Sequence, residues 1–207
     1  IDGGGTALYA GFQCIPNNAK FNIFCSTSIS AMGTGLPELC GASIGNKFKR
    51  CFCIVGDGSL MFNLQELQTL KTNCPSSIII VLNNQGYLAI RHTQKEFLKG
   101  RFYGTSDEDK NIEIPNIEDI AKTFKYKYKK ISSSIDIDQN INQIINVEKS
   151  HLLVELICPP EISNLYTPSF KKNNDGSFSP NDIDHMKPFE DFNYKKISQK
   201  NNLDIEL

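Results

Sequence analysis

Two short polar clusters hold the residues best suited to chemistry: Gly56-Asp57-Gly58-Ser59, and Asn83-Asn84, with Asn84 27 positions after Asp57. Each follows an apolar run, Cys51-Phe52-Cys53-Ile54-Val55 before the first and Ile78-Ile79-Ile80-Val81-Leu82 before the second. A carboxylate, a side-chain amide and a backbone carbonyl are hard oxygen donors. Together they suit Mg²⁺, which takes few protein ligands and completes its shell with water and phosphate oxygens. Gly56 and Gly58 permit a sharp turn and close backbone approach, and Ser59 offers a hydroxyl or an N–H at a helix start. The two clusters therefore read as a cradle for a metal-bound diphosphate. Singly, each is also an ordinary turn, since Gly-Asp-Gly bends many chains and Asn-Asn ends many strands. Their joint placement is what points to a site.

The elements between them supply that placement. Leu64, Leu67 and Leu70 recur at helical spacing, so the order is strand, helix, strand, a parallel crossover. Such a unit brings both strands to the same edge of a sheet, where ligands of open α/β sheets bind. As neighbours the strands lie about 4.8 Å apart, which lets Asp57 and Asn84 converge on one cation.

The alternation continues downstream. Asn116 opens a helix to Phe124, Tyr126–Ile131 alternates with lysines as an edge strand does, Asp136–Val147 repeats Ile at helical spacing, and His151–Cys158 is an apolar strand closed by Pro159-Pro160. The expected fold is α/β, a doubly wound, mainly parallel sheet with helices on both faces, spanning residues 1–160. Residues 161–207, rich in Asn, Lys, Ser and Asp, read as an irregular C-terminal tail, either solvated or wrapped on the domain or a neighbouring subunit.

From Gly56 to Tyr87 the chain resembles the thiamine diphosphate motif of acetolactate synthase, pyruvate decarboxylase and related enzymes. The resemblance extends over roughly the first 160 residues, the scale of one domain. It implies that Asp57 and Asn84 give side-chain oxygens to Mg²⁺ and that Gly86 gives its backbone carbonyl. It also implies that Gly58 and Ser59 donate backbone N–H groups to the diphosphate, with Gly56, Tyr87 and Leu88 lining the cofactor. Upstream, Ser28-Ile29-Ser30-Ala31-Met32-Gly33-Thr34-Gly35-Leu36-Pro37 is similar to the Gly-Ala-Met-Gly-Phe-Gly-Leu-Pro stretch of acetolactate synthases. Met32 would be the wedge that bends the cofactor, a soft side chain against a ring, and the Ser30 carbonyl would hold the aminopyrimidine. Ordinary packing before a helix is the competing role for Met32. Gly5 and Thr6, in Asp2-Gly3-Gly4-Gly5-Thr6-Ala7, sit where the family begins its cofactor domain, just after a first strand, and suit a phosphate oxygen at a helix start.

The resemblance further implies a 2-oxo acid substrate, pyruvate first, and a carbonyl acceptor. No catalytic residue is expected in this chain. The activating Glu of such enzymes lies on a separate N-terminal pyrimidine-binding domain, usually of a second subunit, so a dimer or larger assembly is expected and the fragment alone should be inactive. FAD, if bound, would belong to a middle domain also outside the chain. Where acetolactate synthases carry Gly-Met-Val-x-Gln-Trp, this sequence reads Leu88-Ala89-Ile90-Arg91-His92-Thr93. Thr93 in place of the Trp leaves room for a bulkier acceptor, which Arg91 or His92 would meet if they are not surface residues of a helix. For Arg91 the surface reading is preferred. Phe97 to Thr105 matches the family's loop over the active site, a lid that excludes water. Simple decarboxylation and a non-catalytic cofactor-binding subunit are the alternatives.

Composition narrows the partners. The chain has 207 residues and a formal net charge of −1, which supplies no electrostatic case for nucleic acid or an anionic membrane. No apolar stretch approaches a membrane span, and no signal peptide opens the sequence. Seven cysteines form no Cys-x-x-Cys pair and sit partly in apolar runs, as expected of a reduced, cytoplasmic protein. Cys51 and Cys53 share one strand face and read as packing rather than metal ligation. Three Gly-x-Gly pairs occur, but Leu8, Glu38 or Met61 stands where a dinucleotide fingerprint needs a third small residue, and no Gly-x-x-x-x-Gly-Lys-Ser/Thr loop is present.

Overall fold

The computed structural model describes residues 1–15, 21–45, 50–105, 112–147, 149–161 and 170–181. The chain divides into two compact units, Ile1–Ile162 and Ser163–Leu207. In the first, helices α1 (Gly5–Cys14) and α2 (Gly35–Gly45) precede strand β1 (Phe52–Gly56). Next come the short helix α3 (Asp57–Leu60), a 3-10 turn (Met61–Asn63), helix α4 (Glu66–Asn73) and strand β2 (Ser77–Asn83). Helices α5 (Leu88–Phe97) and α6 (Ile117–Thr123), strand β3 (Lys127–Ile131), helix α7 (Ser134–Ile145) and strand β4 (His151–Ile157) complete it. In the second unit, β5 (Phe170–Lys172) pairs antiparallel with β6 (Phe178–Pro180) across a turn at Gly176. Most of the tail read from sequence lies outside the described residues.

The four main strands run parallel in the order β1-β2-β4-β3. The crossover read from sequence is present: β1 and β2 are neighbours, with Val55 beside Val81 and Gly56 beside Leu82. Parallel strands buried on both faces need apolar residues on both, and the two core clusters meet that need. On one face Cys53, Val55, Ile79, Val81 and Leu153 pack against α2, α4 and α6 through Leu36, Leu67, Leu70 and Ile120. On the other, Ile78, Leu152 and Val154 pack with Ile131 and with Ile144 of α7. β3 forms an edge, as its alternating lysines require. Asn116 and Ser133 cap α6 and α7, accepting from Asp119 N at 3.1 Å and Asp136 N at 3.2 Å.

The helix start read at Ser59 is present as α3, which begins at Asp57, and the helix read over 64–70 forms as α4 only from Glu66. Asp2 N–H donates to Ile54 O at 2.9 Å, tying the start of the chain to β1.

Cys51 and Cys53 behave as read from sequence. Cys53 is 1% exposed in the core, burial pushes its thiol up to about 12, Cys51 packs against the same cluster, and no disulfide joins the seven cysteines.

Candidate cofactor site at the carboxyl ends of the strands

Asp57 and Asn84 emerge from adjacent strands at the carboxyl edge of the sheet, both buried. Asp57 Oδ1 accepts from Gly58 N at 2.8 Å and Oδ2 from Gly86 N at 2.9 Å, so the carboxylate on β1 holds the turn that follows β2. Burial raises the Asp57 carboxyl from 3.8 to about 6, against the lowering effects of the Gly86, Gly58 and Gln85 N–H groups and the Arg91 charge. Asn84 Nδ2 donates to Thr6 Oγ1 at 3.2 Å, which fixes the amide plane. Asn84 Oδ1 is then buried without a hydrogen-bond partner among the described residues. A buried, unsatisfied carbonyl oxygen is costly unless something else satisfies it, and a hard cation is such a partner.

The turn itself is strained. Gln85 has φ 63° and Gly86 φ 124°, two left-handed residues in succession, the first without glycine's freedom. A Cβ on Gly86 would run into Thr105 O, so only glycine fits there. Asn83 braces the strand end: its Oδ1 accepts from Gln85 N at 3.1 Å, and its Nδ2 donates to Glu155 Oε1 at 2.5 Å. Tyr128 OH donates to the other Glu155 oxygen, and burial first, then that carboxylate, raises the phenol's pKa.

A second group of loops closes on the same place. Asp2, fully buried, accepts from Gly4 N at 3.0 Å, Gly33 N at 2.9 Å and Gly35 N at 3.0 Å, joining the opening loop to the one carrying Met32. Gly4 lies where these loops meet the Asp57 turn, for a Cβ there would stand 2.5 Å from Met32 Cγ and 2.9 Å from Ser59 Oγ. Met32 is half-buried and lies beside Gly4, close to Ser59, at the site's edge rather than deep in the core. Gly5, at φ 53°, starts α1 against α5 at Ala89, and Thr6 follows on Asn84. Tyr87 packs its ring across Gly58 and edge-on to Phe62, with centroids 6.4 Å apart.

Among the residues read from sequence, Gly5, Thr6, Met32, Gly56, Asp57, Gly58, Ser59, Asn84, Gly86 and Tyr87 are drawn together here. Leu88 is buried at the first turn of α5, so its side chain faces the core. Ser30 is exposed at φ 52°, its hydroxyl donating to Thr27 O at 3.1 Å. The Gly58 N–H, read as a donor to the diphosphate, donates here to the Asp57 carboxylate, and Gly58 also provides the clearance that Tyr87 occupies. One reading is corrected. Arg91 is no surface residue: it is 6% exposed and its guanidinium donates to the carbonyls of Asn84, Gln85, Thr105 and Pro160. The loop expected as a lid is docked at its end, since Thr105 O accepts from Tyr87 N at 2.9 Å and Thr105 Oγ1 donates to Gln94 at 2.9 Å. Residues 106–111 lie outside the described residues.

Asp2, Arg91 and Glu155 were the buried charged side chains around the site hardest to find from sequence. A carboxylate inside Leu152-Leu153-Val154-Glu155-Leu156 must meet a partner when buried, and Arg91 falls three residues after Leu88 on the same helical face. Among the described residues no three His, Cys, Asp or Glu side chains cluster as a metal site. The donors gathered here are instead one carboxylate, one amide oxygen and the turn backbone, the kind of set Mg²⁺ uses when phosphate supplies the rest. These residues fit the group.

An all-parallel sheet with glycine turns, a buried carboxylate and an unpartnered amide oxygen at its carboxyl edge defines a cofactor-binding α/β domain. Comparison with known families makes that class specific. Residues 3–155 match the model of the thiamine pyrophosphate enzyme C-terminal TPP binding domain, and the chain belongs to that family. Among curated relatives, it is 29% identical to acetolactate synthase isozyme 2 large subunit of Escherichia coli (strain K12) over 73% of this chain and 29% of that protein. It is 27% identical to the probable acetolactate synthase large subunit of Methanococcus aeolicus over 72% and 24% respectively. The figures for the acetolactate synthase large subunit of Cyanidium caldarium are 32% identity over 64% and 22%. The chain thus spans less than a third of the length of these relatives.

Proposed function

We propose that this chain is the cofactor domain of an acetolactate synthase-like enzyme that decarboxylates a 2-oxo acid, pyruvate first, and joins the remaining two-carbon unit to a carbonyl acceptor. The buried Oδ1 of Asn84 carries the reading, because it lies among oxygen donors from two adjacent strands and has no hydrogen-bond partner among the described residues. Asp57, Asn84 and the Gly86 carbonyl would hold Mg²⁺, and Ser59 at the start of α3 would face the diphosphate. Thiamine diphosphate, when bound, supplies the electron sink for decarboxylation and for ligation.

The chain's own residues bind and orient. Met32 supports the cofactor from the side of Gly4, while Tyr87 and the docked Thr105 loop shield the metal-binding turn from water. The activating carboxylate comes from an N-terminal pyrimidine-binding domain, supplied by a second subunit in a dimer or larger assembly. Exposed apolar side chains on α1 and the segment after it (Tyr9, Phe12, Phe21, Phe24 and Ile29) support such a partner. Thr93, exposed and bonded to its own helix at Ala89 O (3.2 Å), favours an acceptor larger than pyruvate. Seven cysteines with no disulfide among them support a reducing, cytoplasmic setting, and no described helix is long and apolar enough to cross a membrane.

Product analysis tests this directly. The full-length protein, given pyruvate, thiamine diphosphate, Mg²⁺ and a panel of aldehyde and keto acceptors, is expected to yield acyloin-type products. Free aldehyde alone would establish the simple decarboxylase instead. No consumption of pyruvate or other 2-oxo acids, with the cofactor bound, would leave a binding subunit.

A further inference from the structure

Arg91 makes an unusual set of contacts for a helix residue. Its Nη2 donates to Asn84 O at 2.9 Å and Pro160 O at 2.6 Å, and its Nη1 to Gln85 O at 3.1 Å and Thr105 O at 3.0 Å. Each of these acceptors is a backbone carbonyl, and they come from three segments remote in sequence: the turn after β2, the end of the loop after α5, and the exit of β4. A planar guanidinium can serve four carbonyls from one position, whereas an ammonium carries three donors around a single point.

What the side chain grips matters more than how firmly. The carbonyls of Asn84 and Gln85 bracket the peptide leading into Gly86, in the turn where two successive residues hold left-handed φ. Such backbone persists only when its surroundings over-determine it. A Cβ on Gly86 would also stand 3.2 Å from Arg91 Nη1, so the guanidinium closes the space behind the turn.

We propose that Arg91 is a positioning residue that fixes the Asn84–Gly86 turn in the shape that aims Asn84 Oδ1 and the Gly86 carbonyl at one small cation, and couples that turn to Thr105. This rests on the cation-and-diphosphate reading above. Removing the clasp loosens the ligand set rather than deleting a ligand. Mg²⁺ demands near-ideal octahedral geometry, while Ca²⁺ accepts longer and less regular coordination. A loosened turn therefore penalises Mg²⁺ more than Ca²⁺.

The test is calorimetric titration of thiamine diphosphate into full-length protein, in Mg²⁺ and separately in Ca²⁺, for wild type, Arg91→Lys and Arg91→Met. Arg91→Met is expected to weaken Mg²⁺-supported binding about 30-fold and Ca²⁺-supported binding about threefold, in the range seen for groups that orient metal ligands. Arg91→Lys is expected to fall between wild type and Arg91→Met in the ratio of the two affinities, and it decides the matter alone if Arg91→Met does not fold. A merely structural arginine would lower both affinities equally, so an unchanged ratio in the folded variants overturns the clasp. Wild-type protein that binds the cofactor without a divalent cation, or not at all, overturns the cation reading and the clasp with it.

Discussion

The Ser77 network at the amino end of the sheet and the Asn84–Gly86 turn at its carboxyl end treat their polar groups differently, although Ser150 Oγ, just before β4, is also buried without a partner among the described residues. At the amino end, Ser77 Oγ meets His151 Nδ1 at 2.8 Å and Tyr126 OH at 3.4 Å, and Tyr126 OH donates to Leu67 O at 2.9 Å. Burial, and secondarily Lys71, lowers the His151 pKa from the ordinary histidine value. At the carboxyl end, Asn84 Oδ1 is left open, Gln85 and Gly86 sit in left-handed backbone, and the Asp57 carboxyl is raised to about 6. A closed polar network specifies packing, whereas an open one beside strained backbone is prepared for something outside the chain.

Substitutions at the two ends should separate accordingly. The largest effect belongs to Asp57→Ala, which removes the only carboxylate in the proposed ligand set and is expected to weaken Mg²⁺-dependent cofactor binding by more than about 100-fold. Because the lost group is a buried charge, the melting temperature should move by only a few degrees, checked by thermal denaturation of the unliganded protein. Normal affinity in that variant would remove the distinction between the two ends.

Acid comes next. The folded-state pKa of Asp57 exceeds its unfolded value, so the native protein binds that proton more tightly. Unliganded stability should therefore fall as pH rises from about 4 to about 6, by an amount on the order of 3 kcal/mol, and then level off. A cation must displace the proton, so apparent Mg²⁺ affinity should drop about tenfold per pH unit below about 6 and stay constant above about 7. Denaturant melts and metal titrations across this range read both trends. A flat affinity profile through pH 5–7 would contradict the role given to Asp57.

Met32→Ala is expected to spare cofactor affinity and lower turnover of the full-length enzyme several-fold, since it removes support rather than a bond. Steady-state kinetics at saturating cofactor measures it, and unchanged turnover would return Met32 to ordinary packing. Smallest in its effect on the site is Ser77→Ala at the amino end. It should destabilise the fold by about 1–2 kcal/mol through the loss of buried hydrogen bonds and leave cofactor binding unaltered.

What could be read from sequence follows the range of the interactions involved. Asp57 and Asn84 were legible because one strand–helix–strand unit sets their proximity, and apolar runs with helical spacing announce that unit locally. Met32 and Thr6 came with it through resemblance. Asp2 escaped notice because its meaning lies in N–H groups of Gly33 and Gly35, over 30 positions away, which no local pattern reveals. Arg91 was misread for a related reason. A charged residue on a short helix belongs on the surface by default, and the convergence of carbonyls from Asn84, Gln85, Thr105 and Pro160 satisfies the buried guanidinium. The Gly58 N–H shows a third limit: sequence identified the turn but not which acceptor its donor would find first.

The most direct measurement is calorimetric titration of thiamine diphosphate into wild-type and Asn84→Ala full-length protein, with Mg²⁺ and with excess chelator. Wild type should bind only when the divalent ion is present, and the alanine variant should bind in neither condition while remaining folded. Tight binding that survives chelation, or an alanine variant indistinguishable from wild type, would contradict the claim that the open oxygen of Asn84 exists to meet a cation.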